Sequence, residues 1–216
     1  MFCDQDDIWE KDKVEKTLAK MEKIERIYYN QPILIHTNLK VVDENLQLIN
    51  KSFWDHEHID PQFNMFNNLL IQNTITGCTV MINKKLALLT LPIPDEIIMH
   101  DWWLGLIASK FGKIVYINEP LIQYRQHTSN SIGANQLNIR TIFNKLFEKN
   151  ILYLNQLQAK VFLVKFEKKL DYETIEMLEE FIKISTQSFW QKREILLKYK
   201  LFKQGIIRNI GLFLKI

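Results

Sequence analysis

The hydrophobic pattern changes character three times along the chain. From Lys11 to Tyr29 the apolar positions Val14, Leu18, Met21 and Ile24 to Ile27 recur every three or four residues, with Lys and Glu between them. That spacing predicts an amphipathic helix, ended by Pro32. Ile33 to Val42 (ILIHTNLKVV) is rich in β-branched residues and predicts a strand, followed by a turn at Asp43 to Asn45. Short helices are predicted at Gln62–Leu70 and at Lys84–Leu91, the second stopped by Pro92 and Pro94. A polar approach, Asn73 to Thr76, leads to Gly77 and a strand. An apolar helix is predicted from His100 to Phe111, capped by Gly112, and short strands at Ile114–Ile117 and Leu121–Tyr124. From Asn135 onward the pattern is helical, over Ile139–Phe166, Tyr172–Ile184 and Ser188–Ile216. Alternation of strands and helices followed by a helical tail predicts an α/β domain with an α-helical appendage.

The first residues break this regularity. In Phe2-Cys3-Asp4-Gln5-Asp6-Asp7-Ile8-Trp9, three carboxylates fall within four positions between two apolar pairs. Phe2-Cys3 reads as the end of a buried strand and Ile8-Trp9 as the opening of the helix. Asp4, Asp6 and Asp7 would then lie at the C-terminal edge of a strand, where open α/β sheets bind ligands. Crowded carboxylates of this kind suit Mg²⁺ or Mn²⁺ carrying a phosphate. The same residues also suit a helix cap, with Asp6 or Asp7 as N-cap and Glu10 closing a capping box with Asp7. Both readings stand, since different carboxylates can do the two jobs.

Composition narrows the class. The 216 residues are 47% hydrophobic and 25% charged, with a net charge of +3. That charge does not argue for nucleic acid. Cys3 and Cys78 both lie in apolar runs and read as reduced core residues of a cytosolic protein. No apolar run approaches a membrane span. His56 and His58 flank Glu57 in Ser52–Asp60, which reads as a solvated loop; at alternate strand positions the two could face one metal. Asp101 suits an N-cap, yet Trp102 and Trp103 follow it, and such side chains wall pockets and desolvate a neighbouring carboxylate towards the pKa of a general base. Tyr124-Arg125-Gln126-His127 ends a strand with one cation and one imidazole: Arg125 suits a phosphate or carboxylate, His127 a metal or phosphate. The last 26 residues, Gln191 to Ile216, contain seven Lys or Arg and one Glu among many apolar positions. This suits either an anionic membrane surface or a packed helix with a solvated basic face.

Taken in order, the motifs resemble the family 2 glycosyltransferases, in particular the rhamnosyltransferase-like branch that builds bacterial surface polysaccharides. Asp4-Gln5-Asp6 matches the Asp-x-Asp motif, within the form FxDQDDxW. Asn73 to Asn83 matches N-x-x-x-G-C-T-x-x-x-N, and His100-Asp101-Trp102 matches the segment that carries the base. Tyr124 to Gly133 matches Y-R-x-H-x-x-N-x-x-G. The match runs over about residues 1–133; the tail matches in character only.

The resemblance implies a GT-A fold, Rossmann-like with a mixed sheet, in residues 1–133, and a helical, membrane-associated region in 134–216. It implies inverting, metal-dependent transfer of a sugar such as rhamnose from a nucleotide sugar to a surface-polysaccharide, lipopolysaccharide or lipid-linked acceptor, at the cytoplasmic face of the cell membrane. Asp6 would bind Mn²⁺ or Mg²⁺, and Asp4 the donor or the metal. Asp101 would be the base, Trp102 and Trp103 would shape the acceptor pocket, and Gly77 would let backbone approach a sugar. Arg125 and His127 would meet the diphosphate or metal. Asn38 stands where related sequences often carry Asp, and an amide cannot act as a base. Because family members carry nucleotide-binding strands before the Asp-x-Asp motif, the resemblance also implies that two or three βα units are absent, and that the chain alone lacks measurable transfer. The alternative is a non-catalytic remnant acting as an acceptor-binding or membrane-docking module. A phosphohydrolase would need a second carboxylate-rich motif, which the sequence does not supply.

Overall fold

A computed structural model describes residues 1–126 and 152–216. The chain divides into two compact units. The first comprises Met1–Asn64, Thr74–Leu91 and Leu104–Gln136, and the second Met65–Asn73, Pro92–Trp103 and Leu137–Ile216. The second unit thus draws on two segments that precede residue 133.

The first unit is built on a five-stranded mixed sheet. Its centre is β2 (Ile33–Val42), buried at nearly every position, as a strand covered on both faces must be. β2 runs parallel to β5 (Lys113–Arg125) on one edge. On the other edge it pairs antiparallel with β4 (Met81–Ile82) near its start and with β3 (Leu48–Asn50) near its end. β1 (Ile8–Trp9) adds to β5, antiparallel, with Ile8 opposite Gln123 and Trp9 opposite Ile122. Ile33 and Ile35 pack on Met21 and Ile24 of α1 (Lys13–Ile27) and on Met81. Further along, Leu39 and Val41 pack with Cys78 and Ile122. The opposite face of β2 carries His36, wholly buried edge-on to Trp54 of α2 (Phe53–Glu57), which in turn meets Tyr116. Burial disfavours the imidazolium and pulls the His36 pKa down to about 4.

Several expectations are corrected here. Ile8–Trp9 is strand, not helix, and Phe2–Cys3 is not in a strand; Cys3 is exposed. The helix starts at Lys13 after Asp12, so neither Asp6 nor Asp7 caps it. Glu10 closes no capping box: its carboxylate accepts from Lys40 Nζ at 2.8 Å, which holds its pKa below the usual range. His56 and His58 lie on and just after helix α2, capped by Ser52 Oγ, so they do not share a strand face. The two strands expected at Ile114–Ile117 and Leu121–Tyr124 are one strand, with a register shift around Asn38 where Pro120 faces it. Gly112 follows α5 (His100–Phe111) as expected, but not for a left-handed turn. A Cβ there would lie 1.8 Å from the Pro32 carbonyl oxygen, the same oxygen that accepts the Lys113 N–H at 2.9 Å and starts the β2–β5 ladder.

The second unit is helical. It contains α3 (Phe66–Ile71), the first turn of α5, α6 (Tyr153–Phe166), α7 (Tyr172–Ile182), α8 (Phe189–Lys198) and α9 (Ile206–Lys215). Phe162 packs on Phe66, Trp103 and Phe166 with ring centroids 4.8–5.7 Å apart. Buried amides join the pieces. Asn155 donates to the Leu70 carbonyl at 2.7 Å, Gln156 to the Ile182 carbonyl at 2.9 Å, and Gln158 accepts the Ile98 N–H at 3.1 Å. The amphipathic stretch Gln191–Ile216 is two helices rather than one. The chain breaks at Tyr199–Gly205, where Lys200 and Gly205 adopt φ of 52° and 79°. No helix among the described residues is long and apolar enough to cross a membrane.

Candidate functional site

The acidic stretch has no regular structure of its own, so its position depends on tethers at both ends. Upstream, the Phe2 N–H donates to the Val80 carbonyl at 3.1 Å. Downstream, β1 pairs with β5 and the Glu10 N–H donates to the Leu121 carbonyl at 3.0 Å. Cys3 to Asp7 is therefore stretched past the 3-10 turn Gly77–Thr79 and the end of β5. The result is that one carboxylate oxygen from Asp4, one from Asp7 and the Cys78 sulfur lie within 4.8 Å of one another.

The electrostatics of this cluster are set by burial and by like charge. Both Asp7 oxygens are shielded from solvent without a full hydrogen bond. Burial, with the Asp4 and Asp6 charges adding to it, raises the Asp7 pKa to about 6; the Cys78 thiol and the Arg125 backbone amide lie at the margin of hydrogen bonding and offset part of the rise. Burial and the same carboxylates push the Cys78 thiol far up, so it stays protonated. The neighbouring Tyr124 hydroxyl is pushed up to about 12, by burial first and then by Cys78 and Asp7.

Lys13 brings a positive charge to the cluster. Lys13, the first residue of α1, has no solvent exposure. Its ammonium donates to the Cys78 carbonyl at 2.9 Å and sits 3.5 Å from the centroid of the Trp9 ring. Desolvation lowers its pKa to about 8, opposed by the charges around Cys78 and Asp7.

Two carboxylates converge, and Asp7 lacks the hydrogen bonds that its charge demands, so Asp4 and Asp7 fit a hard cation. The protonated Cys78 thiol does not. Asp6 is outside the group of three and contributes charge to Asp7. His127 lies outside the described residues. Arg125 closes β5, with its amide turned towards Asp7. Gly77 opens the turn that presents Cys78.

The remaining expected site residues are in the second unit. Asp101 is buried in the first turn of α5, and its Oδ1 accepts the Trp102 N–H at 2.7 Å. The Trp102 indole N–H donates to the Leu69 carbonyl. Trp103 is wholly buried against Phe162 and Phe166. Asn38 is structural: its amide donates to Ser52 Oγ at 2.9 Å and its carbonyl oxygen accepts the Leu39 N–H at 2.9 Å.

Sequence reasoning missed Cys78 and Lys13 as members of the cluster; it left Asp7 open between metal site and cap, and the resemblance put the metal on Asp4 and Asp6. Lys13 carried a usable signal, since it continues the helical spacing of Thr17, Met21 and Ile24, the buried side of α1.

No protein-family model matches the chain, and no solved structure matches it. Among curated proteins, it is similar to the dTDP-rhamnosyl transferase RfbG of Shigella flexneri. The two are 29% identical over 142 residues, covering 62% of this chain and 45% of that protein. The chain thus spans less than half the length of this relative, and over most of its own length it is similar to a glycosyltransferase.

Proposed function

We propose that the chain forms part of a glycosyltransferase, of family 2 and GT-A type, that moves a sugar such as rhamnose from a nucleotide sugar to a saccharide or lipid-linked acceptor. The observation that carries this is the similarity to a dTDP-rhamnosyl transferase. The convergence of Asp4 and Asp7 beside Cys78 supports it from the side of the chemistry.

In this reading Asp4 and Asp7 hold the divalent cation, with Asp6 adding negative potential. The bound cation supplies Lewis-acid stabilisation of the departing diphosphate. Asp101 takes the proton of the acceptor hydroxyl. The acceptor oxygen forms its bond to the anomeric carbon as the bond from that carbon to the diphosphate oxygen breaks. The electron pair leaves with the nucleoside diphosphate, and a single displacement inverts the anomeric centre. Trp102 contributes to the acceptor side, and Arg125 and His127 to the diphosphate side.

The test is titration of the chain with thymidine diphosphate and Mn²⁺, followed by calorimetry and by the Mn²⁺ electron paramagnetic resonance signal. Binding of each is expected to strengthen the other, and Asp4→Asn or Asp7→Asn to abolish that linkage. Transfer is then assayed with dTDP-rhamnose and membrane-derived acceptor. A chain that binds neither nucleoside diphosphate nor metal, separately or together, overturns the reading.

A further inference from the structure

The sheet of the first unit has an edge that is only partly closed. β1 takes up the outer edge of β5 at Ile122 and Gln123. From Ile114 to Ile117 the same edge has no strand beside it among the described residues. On its inner side this stretch runs in unbroken parallel register with β2, and the Lys113 N–H bonds the Pro32 carbonyl. Backbone groups alternate in direction along a strand, so Lys113, Val115 and Ile117 bond to β2. The amides and carbonyls of Ile114 and Tyr116 therefore point outward. Natural sheet edges are commonly blunted by proline, a bulge or an inward charge. Ile114–Ile117 has none of these, and all four residues are half-buried.

The open edge is the floor of a groove of about 900 Å³. One wall is α1, which contributes Lys16, Lys20 and Lys23; the other holds Gln62 and Asn64. Tyr116 steadies this second wall: its hydroxyl accepts from Gln62 Nε2 at 3.2 Å, and its ring meets Trp54 edge-on. The walls differ in charge. Lys16 is held by Asp12 and Glu119. Lys20 and Lys23 have no acidic partner among the described residues, whereas Gln62 and Asn64 are neutral amides.

These features specify the occupant. Outward backbone donors and acceptors at strand spacing are matched by another strand, and a groove walled on both sides keeps it in line with β5. Side chains alternate along a strand, so every second one faces α1 and meets Lys20 and Lys23. Acidic residues at those positions match that wall. A second copy of this chain fits poorly. Joining two β5 edges antiparallel sets both α1 helices on one face of the joined sheet, lysines towards lysines, and like charges across a seam repel.

We infer that the outer edge of β5 at Ile114–Ile117 is a docking site for an extended acidic segment of another polypeptide, added to the sheet as a strand. The inference does not depend on the transfer reaction, and its test uses neither sugar nor metal.

The probe is a fluorescein-labelled hexapeptide of alternating Glu and Val, about 20 Å long when extended. It is titrated with the 216-residue chain and read by fluorescence anisotropy. One control peptide replaces each Glu by Lys; another is N-methylated at every residue. The acidic peptide is expected to bind and the basic one not to bind. N-methylation, which removes the main-chain donors, is expected to weaken binding at least about tenfold. Lys20→Glu with Lys23→Glu should lose the acidic peptide by at least about tenfold and gain the basic one, two reversed charges each being worth a few-fold. Far-UV circular dichroism and Tm of this variant should stay unchanged, because neither lysine has a partner to lose. Hydrogen exchange read by NMR should slow at the amides of Ile114 and Tyr116 when the acidic peptide is added, while those of Val115 and Ile117 are slow from the start. Absence of binding by the acidic peptide overturns the inference. Equal binding of the N-methylated peptide also does, since charge alone would then explain the contact. So does full binding by the double variant, or protection that misses Ile114 and Tyr116. Self-association that slows those two amides without peptide assigns the edge to a second copy and overturns it too.

Discussion

Asp7→Asn isolates the electrostatic cost of the acidic cluster. In the metal-free chain Asp7 titrates at about 6 rather than 3.8, so the folded state binds its proton more tightly than the unfolded state does. For an acid, that sign means the charge destabilises the fold: the cost is present in full above about pH 6 and is gone below about pH 3.8. At about 1.36 kcal/mol per unit, the rise corresponds to about 3 kcal/mol for a wholly desolvated group. Asp7 as a residue is partly exposed, though its oxygens are not, and local relaxation reduces this to about 1–1.5 kcal/mol. Asparagine keeps the shape and an acceptor oxygen while removing the charge. The variant is therefore expected to be more stable than the wild type at pH 7.5 in chelator, with a Tm higher by about 2–6 °C for a chain of this size. The difference should shrink towards zero as pH falls through 6 to 4. It must be read as a difference, because His36 adds an opposing limb to both proteins: its depressed pKa makes stability fall between about pH 6.5 and 4. Added Mn²⁺ should then raise the wild-type Tm and leave the variant unmoved. A variant less stable than the wild type at pH 7.5 in chelator would refute the reasoning, since it would mean that the Asp7 charge is already compensated.

Three further outcomes are expected. Lys13→Ala removes a charged donor from the Cys78 carbonyl and a cation from the Trp9 face; at about 1.5–3 and up to about 2 kcal/mol for such contacts, urea denaturation should show a loss of about 3 kcal/mol. Gly112→Ala drives a methyl group into the Pro32 carbonyl, a backbone atom that cannot swing aside, and should cost about 3 kcal/mol or more in the same assay. Asp101→Asn should lower transfer by about 10²- to 10⁴-fold while leaving metal-linked nucleotide binding intact; near-normal turnover in an active preparation would place the base elsewhere.

The parts of the fold that local pattern controls were legible. A run rich in β-branched residues reads as a strand, and Ile33–Val42 is β2 to the residue. His100–Phe111 is likewise the helix its apolar run predicts. The errors arise where a partner distant in sequence decides the outcome. Ile8–Trp9 continues smoothly into a helical period, yet it is drawn off as a strand by Ile122 and Gln123. Gly112 was assigned a cap because glycine ends helices; what excludes a side chain there is the Pro32 carbonyl, some eighty residues earlier. At the site, clustered aspartates made the acidic stretch visible, but which of them converge was not. That depends on the Phe2–Val80 hydrogen bond, which brings Cys78 to Asp4 and Asp7. In the tail, periodicity gave amphipathic helices but not the break at Tyr199–Gly205, nor which face stays uncovered.

The threading of the second unit sets a schedule for its folding. Helix α3 is made early, with Leu69 and Leu70 destined for full burial. Its partners come much later: Asn155 bonds the Leu70 carbonyl, Asn67 donates to the Tyr199 and Lys200 carbonyls at 3.1 and 2.9 Å, and Gln72 accepts the Gln204 N–H at 2.9 Å. At roughly 5–20 residues per second, the last of these leave the ribosome about 7 to 26 s after α3 does. For that interval α3 has from its own unit the Trp102 indole on the Leu69 carbonyl and then Asn155 on the Leu70 carbonyl. The contacts of α3 are complete only once residues 199–204 have emerged, so removing those residues should impair recovery of soluble protein far more than their number would suggest.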